Sequence, residues 1–224
     1  MGVTRPLPAA LRGTLARAVV RPSWLAVGAV ALVGPAAPAL PPAVVYAPFA
    51  LSVVVLGLPH GAVDHLVPAR LVGVGPRRSM AAVGAVYAVL MAAYAAWWFL
   101  APTAAFVAFV LMTWFHWGQG DVYALLAFVD AEHLPTAAER ALALLVRGGL
   151  PMLAPLVAFP DRYRAVALAV VDLFGADAAA LAPAFAPPAR VAVGGGLLAA
   201  SALAVALGYR RVRAGAARGP WLLD

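Results

Sequence analysis

GLPHGAVDH, residues Gly57 to His65, closes a long apolar run and introduces two histidines and an aspartate into it. Ionisable side chains are costly inside a membrane, so they usually mark a functional site there. A second apolar run contains a similar stretch, WFHWGQGD, from Trp114 to Asp121. We expect residues of these two stretches to form the functional site.

The composition is that of an integral membrane protein. Of 224 residues, 65% are hydrophobic and 11% are charged, whereas soluble domains are about 45–50% apolar and about 25% charged. Because one helical crossing takes roughly 20 apolar residues, the sequence predicts an all-α, polytopic transmembrane bundle with about six or seven membrane segments. We expect a multi-pass protein of the cell membrane.

The charge distribution predicts a lipid partner. The net charge of +7 comes from 16 arginines, without any lysine, set against nine acids. The arginines lie at the ends of apolar runs, which is typical of positively charged cytoplasmic loops facing anionic lipid headgroups. We therefore expect no nucleic-acid partner. The absence of cysteine excludes disulfides and thiolate ligands, so a metal here must use His, Asp or Glu.

We divide the chain into a basic N-terminal tail, residues 1–22, and a single helical membrane domain, residues 23–224. The predicted apolar segments are Ser23–Leu40, Ala43–Leu58, Ser79–Leu100, Thr103–Phe128, Ala141–Phe159, Arg162–Ala182 and Val191–Leu207. The first of them also fits a signal peptide.

The positions of the arginines at the two ends of the chain constrain whether the number of membrane crossings is even or odd. Six crossings would put the N-terminal and C-terminal arginines on the same side, whereas seven would not. We therefore expect either Ala141–Phe159 or Arg162–Ala182 not to cross. The first of these contains Pro151 and Pro155, so it is predicted to be kinked or re-entrant.

The polar residues of the two stretches are spaced to share helix faces. His60 and Asp64 are four apart, and a carboxylate one turn from an imidazole can orient it toward a metal. Pro59 interrupts the helix immediately before His60, as is common where a membrane site is built.

In the second stretch, His116 and Gln119 are three apart, and Asp121 follows. We expect Gly118 and Gly120 to permit close helix contact. Two histidines on separate helices can meet in a bundle core. The same histidines would also suit neutral, hydrogen-bonded packing.

The remaining polar residues carry weaker predictions. His65 is interpreted as a residue flanking the motif. His133 lies in an acidic loop, Asp130–Glu139, and is predicted to be solvated. Arg147 can either reach the interface or pair with a carboxylate, and the sequence assigns it no role.

Several chemistries are excluded because their motifs are missing: HExxH, G-x-S-x-G, the P-loop, and G-x-G-x-x-G followed by an acid. Four histidines cannot supply the many that di-iron membrane desaturases use. Two alternatives remain, a mononuclear metal site rich in imidazole and a polar pathway for protons or ions.

The two stretches resemble motifs of the bacteriorhodopsin-related (Brp/Blh) family of membrane β-carotene 15,15′-dioxygenases. GLPHGAVDH is similar to the family motif PHG-x-x-D, and FHWGQGD to H-[FW]-G-x-x-D. The order and separation of the motifs also agree. RGGLPMLAPLVAFP, residues Arg147 to Pro160, resembles a third family segment.

The resemblance implies cleavage of the central double bond of β-carotene by O₂ at a non-haem Fe(II), giving two retinal molecules. His60 and His116 would be catalytic iron ligands, with Asp64, Gln119 and Asp121 as candidates to support them. A microbial rhodopsin would be the retinal acceptor. Aromatic residues would either line a tunnel for the polyene or simply pack and face lipid; they are Tyr87, Tyr94, Trp97, Trp98, Trp114, Phe115 and Trp117.

The chain departs from the family pattern after His133. The family carries two further histidines in a C-terminal helix, and this sequence has no histidine beyond His133. We therefore expect a truncated chain whose activity is in doubt. Two other hypotheses stay open, a non-enzymatic membrane protein that binds carotenoid or retinal or assists opsin assembly, and the proton or ion pathway.

Overall fold

The computed structural model describes residues 8–34, 40–54, 63–128, 130–175 and 178–222. All of the regular structure in these ranges is helical. In chain order, the helices are α1 (Ala9–Leu15), α2 (Arg21–Val33), α3 (Pro42–Ser52), α4 (Leu66–Leu71), α5 (Pro76–Leu100), α6 (Pro102–Phe128), α7 (Ala137–Ala158), α8 (Pro160–Asp172), α9 (Ala182–Phe185), α10 (Pro187–Arg213) and α11 (Arg218–Leu222).

Within these described ranges, four helical stretches are long and apolar enough to cross a membrane: Gly13–Val33, α5, α7 and α10. The first combines the end of α1, the π-helical segment Ala16–Val20 and α2. This confirms an all-helical membrane architecture. Although α6 has 27 residues, it is not one of the four spans, and its second half contains the polar stretch around His116. The count of six or seven segments stays a prediction.

Most predicted helix positions agree with the structure. Proline opens α3 at Pro42, α5 at Pro76 and α6 at Pro102; a missing N–H costs nothing in the first turn of a helix. Helix α5 therefore begins before Ser79, the start that the sequence predicted. At the N-terminus the chain is helical from Ala9, inside the stretch that the sequence marked as a polar tail.

The chain forms two compact units. One is drawn from Thr14–Ala95, and the other from Ala96–Asp224 together with the residues up to Gly13. Helices α6 to α11 belong to the second unit. There, α7 packs against both α6 and α10. A core of Val122, Leu125, Ala131, Leu134 and Ala143 joins the end of α6, the following loop and the start of α7.

The segment Arg162–Ala182 is not one long helix. Helix α8 has 13 residues and ends at Asp172, and the chain turns through Gly175, whose φ of +71° is one that glycine adopts freely. Thirteen residues span about 20 Å, which is too short for the hydrocarbon core. Of the two segments that parity placed in question, α7 therefore has the length to cross and α8 does not.

Helix α7 begins earlier than predicted, at Ala137, because Thr136 caps it. The Thr136 hydroxyl accepts a hydrogen bond from the Glu139 backbone N–H at 3.2 Å, and the Glu139 carboxylate accepts one from the Thr136 backbone N–H at 3.1 Å. This reciprocal pair is a capping box. The helix then continues for 22 residues through Pro151 and Pro155, so the re-entrant alternative for this segment is wrong.

Candidate active site

The first stretch is described from Val63 onward, and His60 lies outside the described residues. Asp64 stands in the turn before α4, and its carboxylate accepts a hydrogen bond from the Tyr87 hydroxyl of α5. The neighbouring His65 carbonyl accepts a second hydrogen bond, from the buried Ser79 hydroxyl. Helix α5 thus holds the end of GLPHGAVDH at two successive residues. Tyr87, considered as a tunnel residue, acts here through its hydroxyl.

The second stretch lies on α6 and divides between two helix faces. Trp114 and Gly118 face α7: the Trp114 indole Nε1–H donates to the Leu145 carbonyl at 2.8 Å, and Gly118 is buried. His116 and Gln119 lie on a different face and are exposed. Their common face agrees with the prediction. In the described residues, however, this face is not packed into a core.

Glycines allow the backbones of α6 and α7 to pack closely against each other. A Cβ on Gly118 would meet the backbone carbonyl of Leu144, and one on Gly148 would meet the backbone carbonyl of Trp114. Both positions therefore require glycine for this helix spacing. The expectation for Gly118 is confirmed. In the described part of the chain Gly120 makes no such contact, because a Cβ there would meet no atom within 4 Å.

Asp121 pairs with Arg147 across the same helix contact. The Arg147 Nε lies 3.1 Å from Asp121 Oδ2, and the side chains are 24% and 53% exposed respectively. Asp121 is five residues beyond His116, about 140° around the helix, and is directed to α7. Sequence reasoning assigned Arg147 no role. The sequence nevertheless contained an indication of this ion pair, because an acid and an arginine within neighbouring apolar helices are expected to pair.

His133 is buried, with 1% of its surface exposed, so the prediction that it is solvated is wrong. The loop turns back on itself, because Ala131 N–H donates to the Leu125 carbonyl and Leu134 N–H to the Ala131 carbonyl. Ala131 and Leu134 then enter the core. Gly208 of α10 lies beside the imidazole, since a Cβ there would be in ordinary contact with His133 Cδ2, at 3.6 Å.

A second ion pair fixes the far end of this loop. Arg211 Nε lies 2.8 Å from Glu139 Oε1, and Glu139 is buried. The Glu132 carboxylate accepts a hydrogen bond from the Ala217 backbone N–H at 3.2 Å. The acidic loop is thus joined to the arginine-rich end of α10 and is a packed part of the fold.

The described residues do not by themselves form an iron site. Imidazole nitrogen suits iron, and His116 presents one on α6. However, the described ranges, which omit 55–62, contain no group of three or more His, Asp or Glu side chains that could hold a metal ion. Asp64 and Asp121 are engaged by Tyr87 and Arg147. That His60 and His116 lie close enough to bind one metal ion stays a prediction.

Comparison with known proteins decides the family. A family model described as beta-carotene 15,15'-dioxygenase matches residues 51–221, which include both stretches. The chain belongs to the β-carotene 15,15'-dioxygenase family. No solved structure gives a significant match to it.

Two proteins of Halobacterium salinarum are similar to this member of the family. One, named probable beta-carotene 15,15'-dioxygenase Blh, is 44% identical over 98% of the chain and 63% of its own length. The other, named probable beta-carotene 15,15'-dioxygenase Brp, is 32% identical over 95% of the chain and 58% of its own length. The chain therefore spans about three fifths of the length of these relatives. Their similarity confirms the resemblance noted from the motifs.

Proposed function

We propose that this chain takes part in the oxidative cleavage of β-carotene to retinal. The observation that carries the proposal is the family match over residues 51–221, supported by the names of the two relatives. In the proposed reaction the central 15,15′ double bond breaks, and each of the two carbons receives one atom of O₂. Two molecules of retinal result, and no atom is left over.

The helical framework suits this substrate. β-Carotene is a hydrocarbon that partitions into the apolar interior of a lipid bilayer, and three of the four spanning helices expose nearly all of their apolar windows. The substrate can therefore reach the protein from within the cell membrane, without a charged residue to anchor it. A microbial rhodopsin is the proposed acceptor of the retinal.

The proposal assigns the iron to His60 and His116, as the family resemblance implies. When bound, Fe(II) would supply the binding and reduction of O₂. His116 sits on an exposed face of α6 beside Gln119, and His60 with further ligands outside the described residues would have to complete the coordination. Asp64 is held by Tyr87, which would fix the described end of the stretch that contains His60.

Expression in a β-carotene-producing host tests the function. The 224-residue chain is compared with its His116→Ala variant and with the Halobacterium Blh relative. Although the chain lacks two histidines that the family carries, we expect it to bleach the orange colour and to produce retinal, measured by chromatography of cell extracts, and the variant to do neither. Unchanged colour with well-expressed chain would contradict catalysis. Intact β-carotene copurifying with the chain would favour the non-enzymatic binding protein.

A further inference from the structure

A cavity of about 470 Å³ lies among α6, α7, α10 and α11, within one compact unit of the chain. Its volume is in the range of small-molecule sites. The lining includes the polar side chains Asp121, Arg147 and Ser201 and is otherwise apolar, with Ala204 and Trp221 among its members. The wall is therefore mainly apolar, with three polar side chains.

The polar part of the wall is the Asp121–Arg147 ion pair together with Ser201. Arg147 and Ser201 lie well inside α7 and α10, two of the candidate membrane spans. Ionisable residues at such positions face the interior or a cavity, pair with one another and mark a site. Arg147 keeps 24% of its side chain exposed at this wall while it pairs with Asp121.

The ion pair makes the cavity polar without giving it a net charge. An anion would have to displace Asp121 from Arg147, and a cation would meet the guanidinium. A neutral ligand with an oxygen that accepts a hydrogen bond gains from the guanidinium N–H groups, because hydrogen bonds to charged donors are the stronger ones. A hydrocarbon gains nothing from them. The wall thus favours an uncharged amphiphile.

Trp221 completes the apolar part of the cavity wall. Its indole rests against Gly208, where a Cβ would lie 2.5 Å from Trp221 Cδ1, and beside Tyr209 at a centroid distance of 5.9 Å. Aromatic rings offer a flat apolar surface for a ligand. A conjugated chain could therefore contact the Trp221 ring, while an oxygen at its end accepts a hydrogen bond from Arg147.

We propose that this cavity holds a molecule with a long apolar body and one terminal carbonyl oxygen, and that in the reaction proposed above it is the retinal product. The identity of the ligand rests on that proposed function. β-Carotene contains no oxygen, whereas each product molecule has a carbonyl at the new end. The ion pair therefore discriminates product from substrate, and Arg147 is the residue that recognises the aldehyde.

The test is binding of added retinal to the purified full chain in lipid nanodiscs, followed by quenching of tryptophan fluorescence, with empty nanodiscs to subtract partition into lipid. The comparison ligand is the hydrocarbon in which a methyl group replaces the aldehyde. We expect retinal to bind about tenfold or more tightly than this hydrocarbon. Arg147→Met should remove that difference. Equal affinities for the two ligands in the unaltered chain would overturn the proposal.

A matched pair of substitutions on α10 checks the location without disturbing the ion pair. Ala204→Phe fills the cavity, whereas Ala206→Phe places the same ring at an exposed position outside the lining. We expect only Ala204→Phe to weaken retinal binding, by about tenfold or more. Equal binding by both variants would reject the site. Because retinal is supplied, binding without any β-carotene cleavage would contradict the proposed function and leave the cavity assignment standing.

Discussion

The Nε atom of Arg147 lies 3.1 Å from Oδ2 of Asp121, across the contact between α6 and α7. Asp121 ends the stretch WFHWGQGD, and Arg147 begins RGGLPMLAPLVAFP. The ion pair therefore joins two segments that resemble family motifs. It also explains how two opposite charges are accommodated in neighbouring apolar helices, since each charge offsets the cost of the other.

Breaking this ion pair should destabilise the chain, and the effects of replacing the two side chains should not be additive. We expect Asp121→Asn and Arg147→Met each to lower the free energy of unfolding, and the double variant to cost less than their sum by about 0.5–2 kcal/mol. Reversible unfolding in mixed detergent micelles measures all three. Arg164→Met, at an exposed arginine of α8, is the control for loss of one positive charge. Strict additivity of the two changes would show that the pair contributes no stability.

The contact between α6 and α7 should tolerate no side chain at two of its glycines. A Cβ at Gly118 would lie 2.9 Å from the Leu144 carbonyl carbon, and one at Gly148 would lie 2.8 Å from Trp114 Cδ1. Gly118→Ala or Gly148→Ala must therefore separate the helix backbones. We expect each to cost roughly 1–3 kcal/mol of unfolding free energy.

Gly120→Ala is the matched control, because it lies on the same helix and a Cβ there would meet no atom of the described residues within 4 Å. It should be neutral or stabilising, by up to about 1 kcal/mol, since alanine favours the helix over glycine. Thermal unfolding of the three variants in one detergent makes the comparison. A loss at Gly120 equal to that at Gly118 would mean that helix spacing does not set the requirement.

These glycines show where sequence reasoning reached its limit. The spacing in WFHWGQGD predicted close helix contact at Gly118 and Gly120 alike, and among the described residues only Gly118 makes it. In a soluble protein the polar face of a helix reveals its buried face. A membrane helix is apolar around most of its circumference, so the pattern places the helix in the chain but leaves its rotation undetermined.

The start of α7 should depend on the Thr136 hydroxyl. Thr136→Ala removes the acceptor for the Glu139 N–H, and we expect it to cost about 1 kcal/mol. Thr136→Ser keeps the oxygen and should retain most of the stability. Chemical denaturation with a helix-specific signal, circular dichroism at 222 nm, measures both. Equal losses in the two variants would assign the effect to the methyl group instead of the cap.

The capping box also shows a signal that the sequence contained and that our boundaries missed. TAAE, from Thr136 to Glu139, is the expected pattern for a helix start, yet the high charge of the loop favoured a later one. The same charges made His133 look solvated. The buried imidazole lies beside Gly208 of α10, a neighbour distant in sequence that local composition cannot reveal. The family and the helical class, by contrast, followed from motifs and hydropathy.

Replacing His116 and replacing His133 by alanine should separate loss of a ligand from loss of a fold. His116 is exposed on α6, so His116→Ala should leave unfolding nearly unchanged, within about 0.5 kcal/mol, and should lower the iron retained per folded chain. His133 is buried, so His133→Ala should lower the unfolding free energy by roughly 1–3 kcal/mol and spare the iron bound by the chains that stay folded.

Metal analysis and thermal unfolding of the same purified samples make this distinction, with iron normalised to folded protein. Activity alone cannot make this distinction, because both variants are expected to lose retinal production in cells. His116→Ala would lose it because the site lacks a ligand, and His133→Ala because less folded protein accumulates. If His133→Ala were as stable as the unaltered chain but retained no iron, the ligand assignment would have to move from His116 to the packed loop. Iron retained in full by His116→Ala would remove His116 from the proposed site.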